Sequence, residues 1–263
     1  MDFLIGCICS LFIVGAAYAK RSLSVSGAVA AALLGTLIYA LGDIRWYGLL
    51  LAFFISSSLL SHRKKEAKKG VEDLFAKTGT RDWLQVVANG GLGLVAVAGA
   101  FFLGGAYGWY MFYIGVIAAV TSDTWATEIG VLSRGKPRHV LTGRRVEPGI
   151  SGGVSSLGLL ASLAGGLFIG SLAMLLVWLI QKEWIFSYIA AGACGGMAGS
   201  LADSAIGAVW QRMYYCEVCG KETERTEHCS QPTRVIKGYA WCTNDMVNIL
   251  SSLVGGVIAV WWS

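Results

Sequence analysis

Apolar residues run along most of this chain in stretches far longer than the stripe of an amphipathic surface helix. Near-continuous runs cover residues 3–19, 23–41, 44–60, 83–103, 106–127, 154–180, 185–211 and 246–262. About 20 predominantly apolar residues cross the ~30 Å hydrocarbon core of a bilayer as a helix. The pattern predicts eight transmembrane helices, the last one short and the fifth open to a break or re-entry around Asp123. Polar residues gather in short turns such as Leu41-Gly42-Asp43 and in three longer segments, 61–80, 134–153 and 211–242.

Composition sharpens that picture. Of 263 residues, 55% are hydrophobic and 14% charged, the balance of a polytopic membrane protein. We expect one all-α integral membrane domain over 1–263, with 211–242 as an inserted cytoplasmic loop. Nineteen of the 21 basic residues fall in alternate connections. These are Lys20 and Arg21, then Arg63, Lys64, Lys65, Lys68, Lys69, Lys77 and Arg81. Arg134, Lys136, Arg138, Arg144 and Arg145 follow, and last come Arg212, Lys221, Arg225, Arg234 and Lys237. The positive-inside rule places these loops in the cytoplasm and both termini outside a cell membrane crossed many times. No basic segment precedes the first apolar run, which therefore reads as an uncleaved span. The formal charge of +5 is spread over juxtamembrane loops. That suits anionic lipid and anionic ligands, and gives no support to nucleic-acid binding. The Lys-rich segment 61–80 reads as an anchor, with Leu74 and Phe75 dipping into the interface.

Two carboxylates stand inside the predicted spans. Asp123 lies eleven residues before Arg134, and Asp203 nine before Arg212. At 1.5 Å per residue, each sits roughly 14–17 Å inward of its basic anchor. A charge at that depth costs about 2.5–3.5 kcal/mol on insertion scales and by default marks a working site. Asp123 belongs to a polar run ending in Glu128 and Gly130. Those two acids are about 140° apart on an ideal helix, so they share a ligand only if the helix breaks or water intervenes. Gly192, Gly195, Gly196 and Gly199 form a small-residue stripe that turns Asp203 into the bundle.

Other polar groups sit at the same depth. Arg81, Gln85 and Asn89 recur at i, i+4 and i+8, either as an interface anchor or as an anion-pocket lining. Residues 134–153 form a basic, Gly-rich loop with Lys136, Arg144, Arg145 and Ser151. It feeds a helix whose free N–H groups make a phosphate cradle. G-x-x-x-x-G-K-S/T is absent, and His139 reads as a surface residue. The last span opens with Thr243, Asn244, Asp245 and Asn248; Thr243 or Asn244 caps the helix, whereas an Asp/Asn pair suits magnesium. Cys216-x-x-Cys219 and His228-Cys229 have the spacing of a closed, structural zinc site, with Cys242 a possible substitute.

The ionisable residues lie almost wholly in one half of the predicted bundle. A transporter needs polar groups through its full depth. A membrane enzyme needs them at one face, here the cytoplasmic one. Carboxylates that hold divalent metal, beside arginines and backbone N–H groups for phosphates, are the equipment of phosphoryl transfer.

Asp123-x-x-Ala126-x-x-x-Gly130 resembles the signature of CTP-dependent polyprenol and dolichol kinases and CDP-archaeol synthases, and Asp203-Ser204-Ala205-Ile206-Gly207 is a looser echo. Over most of its length the chain more closely resembles the phytyl-phosphate kinase family of integral membrane proteins. The segments are Gln85-Val-Val-Ala-Asn89-Gly-Gly, Ser122-Asp123-Thr124 with Glu128-Ile-Gly130, Pro148-Gly149-Ile-Ser151-Gly-Gly-Val and Gly199-Ser-Leu-Ala-Asp203-Ser. Cys216-x-x-Cys219 with His228-Cys229 and Trp241-x-x-Asn244-Asp245-x-Val-Asn248 complete them. Ser151 stands where that family is expected to carry an amide, and Cys242 where it carries an aliphatic residue, which argues against Cys242 as a ligand. The resemblance implies an isoprenyl-monophosphate kinase. It would move a phosphoryl group from a nucleoside triphosphate, CTP by expectation, to phytyl or geranylgeranyl phosphate, using magnesium. A CDP-lipid-forming cytidylyltransferase and a transporter or flippase of a phosphorylated lipid are the alternatives.

Overall fold

A computed structural model describes residues 1–63, 73–77 and 79–263. Lys64, Lys65, Lys68 and Lys69 lie outside the described residues. Each apolar run forms a helix: α1 (Asp2–Ala19), α2 (Val25–Leu41), α3 (Ile44–His62), α4 (Trp83–Leu103), α5 (Ala106–Gly130), α6 (Ser156–Gln181), α7 (Ser187–Val209) and α8 (Asn244–Val260). Side chains of Ser24, Asp43, Asp82 and Ser155 accept N–H bonds in the first turns of α2, α3, α4 and α6, which explains where those helices start. At α4, Asp82 and Gln85 form a reciprocal capping box.

Four helices, α1, α3, α4 and α6, are long and apolar enough to cross a membrane by length and composition. Helices α2 and α8 have 17 residues each, at the lower limit for a span. Helices α5 and α7 are longer, 25 and 23 residues, but their acids, hydroxyls and glycines dilute their hydropathy. Helix α5 does not break at Asp123; it continues to Gly130. It packs against α3, α4, α6, α7 and α8. Every residue from Tyr113 to Ser122 is buried, the mark of a helix surrounded by protein.

The glycine stripe of α7 lies in the helix contacts, as its spacing predicts. A Cβ on Gly192 would stand 2.5 Å from the Gly166 carbonyl oxygen of α6, and one on Gly195 2.7 Å from that of Gly255 on α8. Only hydrogen at these positions lets the backbones approach so closely.

The basic connections meet at one end of the bundle. The Arg81 N–H donates to the Ser22 carbonyl, and Ser24 N–H to the Arg81 carbonyl, each at 3.0 Å. Residues 73–77 do not dip into an interface as expected. Leu74 is buried, and its carbonyl accepts from Thr223 Oγ1 at 2.6 Å and from the Glu224 N–H at 2.9 Å. The Phe75 carbonyl accepts from Arg225 Nε at 2.8 Å. Polar backbone groups here find protein partners, so the segment is a strap laid over the 211–242 loop.

That loop is also more ordered than an all-α expectation allows. Strands β3 (Met213–Cys216), β4 (Lys221–Thr223) and β7 (Arg234–Lys237) form a three-stranded antiparallel sheet in the order β4-β3-β7. A hairpin of β5 (Glu227–His228) and β6 (Gln231–Pro232) lies between. The 134–153 loop closes as a second small hairpin, β1 (Arg138–His139) with β2 (Gly153–Val154). Gly143 takes φ +67° at its tip, a conformation in which a side chain is strained.

Candidate active site at the basic end of the bundle

The two span acids come together because α5 and α7 run parallel and are held in register by small residues. A Cβ on Gly199 would collide with Ala119 of α5. Asp123 lies four residues beyond Ala119, and Asp203 four beyond Gly199. One turn past the contact, the two carboxylates lie within range of each other's charge. Ser251 Oγ of α8 donates to Asp203 Oδ2 at 3.1 Å. The depth inferred from the basic anchors needs correction. Helices α5 and α7 stop at Gly130 and Val209, before those anchors, so the acids lie about 9–11 Å inside the helix ends.

Glu128 turns away from this pair. Ser61 Oγ of α3 donates to its Oε1 at 2.5 Å, and its charge acts on Arg81. The unbroken helix thus separates Asp123 and Glu128, as their 140° spacing requires.

A second cluster caps the acids. Lys77 Nζ lies 2.6 Å from Asp245 Oδ2 and 2.8 Å from Asp82 Oδ2. Burial alone would lower the Lys77 ammonium, but the bonds to Asp245 and Asp82 raise it above its ordinary value. Asp245 Oδ1 is buried without a hydrogen-bond partner among the described residues. Ser151 Oγ donates to Gln211 Oε1 at 3.0 Å, and Gln211 Nε2 to Glu224 Oε1 at 2.7 Å. Glu224 Oε2 accepts the Ala76 N–H at 3.1 Å. Burial raises the Glu224 carboxyl above the ordinary range, against those two bonds. Asn248 offers its backbone carbonyl to Ser251 Oγ at 3.1 Å, and Asn244 is exposed in the first turn of α8. Thr243 precedes it as the N-cap without a side-chain cap bond.

The sequence reading missed Lys77, Gln211, Glu224 and Ser251. Lys77 and Glu224 read as solvated charges because one partner of each, Asp245 and Ala76, lies 168 and 148 residues away in sequence. Gln211, directly after an apolar run, was the one local signal: a neutral polar residue that is almost fully buried.

Of the basic residues, Arg144 and Arg145 are exposed and have no ion-pair partner among the described residues. Lys136 is paired with Glu147. The N–H groups at the start of α6 are not all free, contrary to the expected cradle. Ser155 Oγ accepts the Gly158 N–H at 3.0 Å. The Gly-rich hairpin base reaches α7 instead: a Cβ on Gly152 would stand 2.6 Å from that of Ala208. Gln85 spends its Oε1 on the Asp82 N–H at 3.2 Å. With Arg81 and Asn89 it also lines a cleft on the other side of α4.

Cys216, Cys219, His228 and Cys229 place one ligand atom each within 4.8 Å of one another. Cys219 Sγ and Cys229 Sγ lie 3.5 and 3.2 Å from His228 Nδ1. The Cys219 backbone N–H and then His228 hold the Cys216 thiol down to about 6, favouring the thiolate a metal needs. Cys229 and Ser230 adopt positive φ, a cost that turns at ligand clusters repeatedly bear. Three sulfurs and an imidazole fit tetrahedral zinc. Cys242 stands outside the group, buried, with its carbonyl accepting the Arg212 N–H at 2.9 Å.

Buried acids in a bundle of apolar helices define an integral membrane protein with a polar working end. The family model described as integral membrane protein DUF92 matches residues 8–256, and the chain belongs to that family. Protein PGR of Arabidopsis thaliana is 33% identical, over 94% of this chain and 91% of that protein. A membrane protein of Methanocaldococcus jannaschii is 31% identical, over 99% and 92%. The chloroplastic protein VTE6 of Arabidopsis thaliana is 26% identical, over 95% and 68%. These relatives bear out the resemblance to a phytyl-phosphate-kinase-like membrane family. No solved structure matches the chain significantly.

Proposed function

We propose that this protein is an isoprenyl-monophosphate kinase, with CTP as donor and a prenyl phosphate such as phytyl or geranylgeranyl phosphate as acceptor. The observation that carries the reading is that Asp123 and Asp203 come within range of each other's charge one turn beyond the Ala119–Gly199 contact. Two carboxylates in each other's field are hard oxygen donors of the kind that take magnesium. Magnesium bound there would neutralise phosphate charge and align the transferred group.

The chain's own groups do the rest. Asp123 and Asp203 would hold the metal, with Ser251 orienting Asp203. Lys77, fixed by Asp82 and Asp245, keeps the strap closed over the site and offers a cation at its rim. Arg144 and Arg145 approach the nucleotide phosphates, for which the guanidinium fork is suited. Ser151, through Gln211 and Glu224, ties the Gly-rich hairpin to the strap. The basic end would face the cytoplasm, and the eight helices would all span the membrane. Zinc at Cys216, Cys219, His228 and Cys229 would be structural, because four protein ligands close its shell.

The acceptor should carry a phosphate. A triphosphate and a monophosphate together bring roughly five to six negative charges into a site of low dielectric. Arg144 and Arg145, which have no ion-pair partner among the described residues, together with Arg81 answer that load better than they answer an alcohol. The test is to incubate purified protein with labelled nucleotides and a panel of prenyl alcohols and monophosphates. Release of CDP with formation of a prenyl diphosphate supports the kinase. Pyrophosphate release would make it a cytidylyltransferase, and neither product would leave a transporter or flippase.

A further inference from the structure

The described residues line a half-open cleft away from the paired acids, among α1, α2, α3 and α4. Its walls are apolar, and its polar groups fall at two levels. At the basic end stand Arg81, Gln85 and Asn89. The Arg81 guanidinium lies over the rings of Phe53 and Phe54, at 5.7 and 5.5 Å. Its hydrogen bond among the described residues goes to Ser58 Oγ at 3.3 Å. Most of its donors remain for a ligand.

The other level is a floor. Ser10 Oγ and Tyr47 Oη are 3.2 Å apart. Gly35 closes on them, since a Cβ there would stand 2.7 Å from Ser10 Oγ. Tyr47 is eleven residues from Ser58 on α3, and Gly35 eight from Gly27, whose added Cβ would strike the Arg81 carbonyl. At 1.5 Å per residue the floor lies roughly 12–16 Å from the arginine. That is about half the hydrocarbon thickness.

We propose that this cleft is the binding site for the apolar chain of a single-chain prenyl monophosphate, with Arg81 on its phosphate and the Ser10–Gly35–Tyr47 floor limiting chain length. The argument is charge complementarity: one guanidinium at the mouth of an otherwise apolar slot calls for one anionic head on one apolar tail. Glu128, held by Ser61, favours the charged form of the guanidinium through its own charge. The inference rests on the kinase reading for the identity of the lipid, but not for its binding.

Photolabelling separates the two. The probe is geranylgeranyl phosphate with a diazirine at its far end, added without nucleotide to the full chain in nanodiscs. Crosslinks on α1–α3 at the level of Ser10 and Tyr47 are the expected result. Asp203→Asn should label equally well, whereas Arg81→Ala should weaken capture about tenfold or more, the loss expected of a charge-assisted bond. Ala31→Phe and Val14→Phe, two independent fillers of the slot, should cut capture of the twenty-carbon probe more than that of a ten-carbon probe. Crosslinks confined to α6–α8 would overturn the proposal. So would equal competition by phosphatidylglycerol, which would make the cleft a bulk-lipid site. Correct labelling in a protein that transfers no phosphoryl group would retain the site and reject the kinase.

Discussion

Lys77 Nζ bridges Asp245 Oδ2, 2.6 Å away on α8, and Asp82 at the cap of α4. One side chain of the strap thereby joins two helix starts far apart in sequence. Lys77→Met leaves Asp245 without its cation. The pair is partly exposed, at 33% and 14%, so its loss should cost about 1–2 kcal/mol. That lies between exposed pairs at ~0–1 and buried ones at ~3–5 kcal/mol. Chemical denaturation measures the loss, and an unchanged midpoint would reduce the bridge to a surface contact.

The same bridge sets a pH window. Burial would raise the Asp82 carboxyl, but the Lys77 bond, the Gln85 and Leu84 N–H bonds and the Lys77 charge together outweigh it, and Asp82 ends below its ordinary value. Its contribution is complete above the unfolded value and lost as pH falls through the lower folded one. Lys77 is shifted upward, so its contribution is complete below its unfolded value and lost as pH rises through the folded one. The strap should therefore stay closed across the neutral range and open in strong acid or strong base. Hydrogen exchange at the Ala76 amide, which bonds Glu224, reports the opening.

Asp203→Asn is nearly isosteric and removes an insertion cost, so the variant should fold at least as well as the parent. Its phosphoryl transfer should fall by orders of magnitude because the metal site loses a charge. Ser251→Ala should leave transfer measurable with a raised magnesium requirement. Full turnover by Asp203→Asn would make that acid a packing residue.

Gly199→Val tests how the acids are brought into register. The added side chain meets Ala119, so α5 and α7 must separate. Overpacking should cost about 1–3 kcal/mol and raise the magnesium requirement without touching either carboxylate. A stability loss with unchanged metal dependence would show that register does not govern the site.

Purified protein should carry about one zinc per chain, as a closed four-ligand site requires. Cys219→Ser should lose it and release the Leu74 and Phe75 carbonyls from Thr223 and Arg225, exposing the strap to protease. Metal-free protein with full activity and a protected strap would exclude this role.

Much of the fold was legible in the linear pattern. Apolar runs longer than a surface stripe must be helices, because a bilayer leaves their backbone no other partners. Eight runs became eight helices, with starts marked by Ser24, Asp43, Asp82 and Ser155. The cost of a buried carboxylate singled out Asp123 and Asp203, and ligand spacing singled out the Cys/His cluster, because both are local rules. Tertiary structure alone decided which distant groups met. Parallel α5 and α7 set Asp123 beside Asp203 and sent Glu128 to Ser61. A strap of residues 73–77 found hydrogen-bond partners near residue 224 instead of in lipid. A half-open apolar slot formed beside Arg81. Sequence spacing determines the face a residue occupies on its own helix, whereas its partner depends on the packing of helices that are separate in the chain.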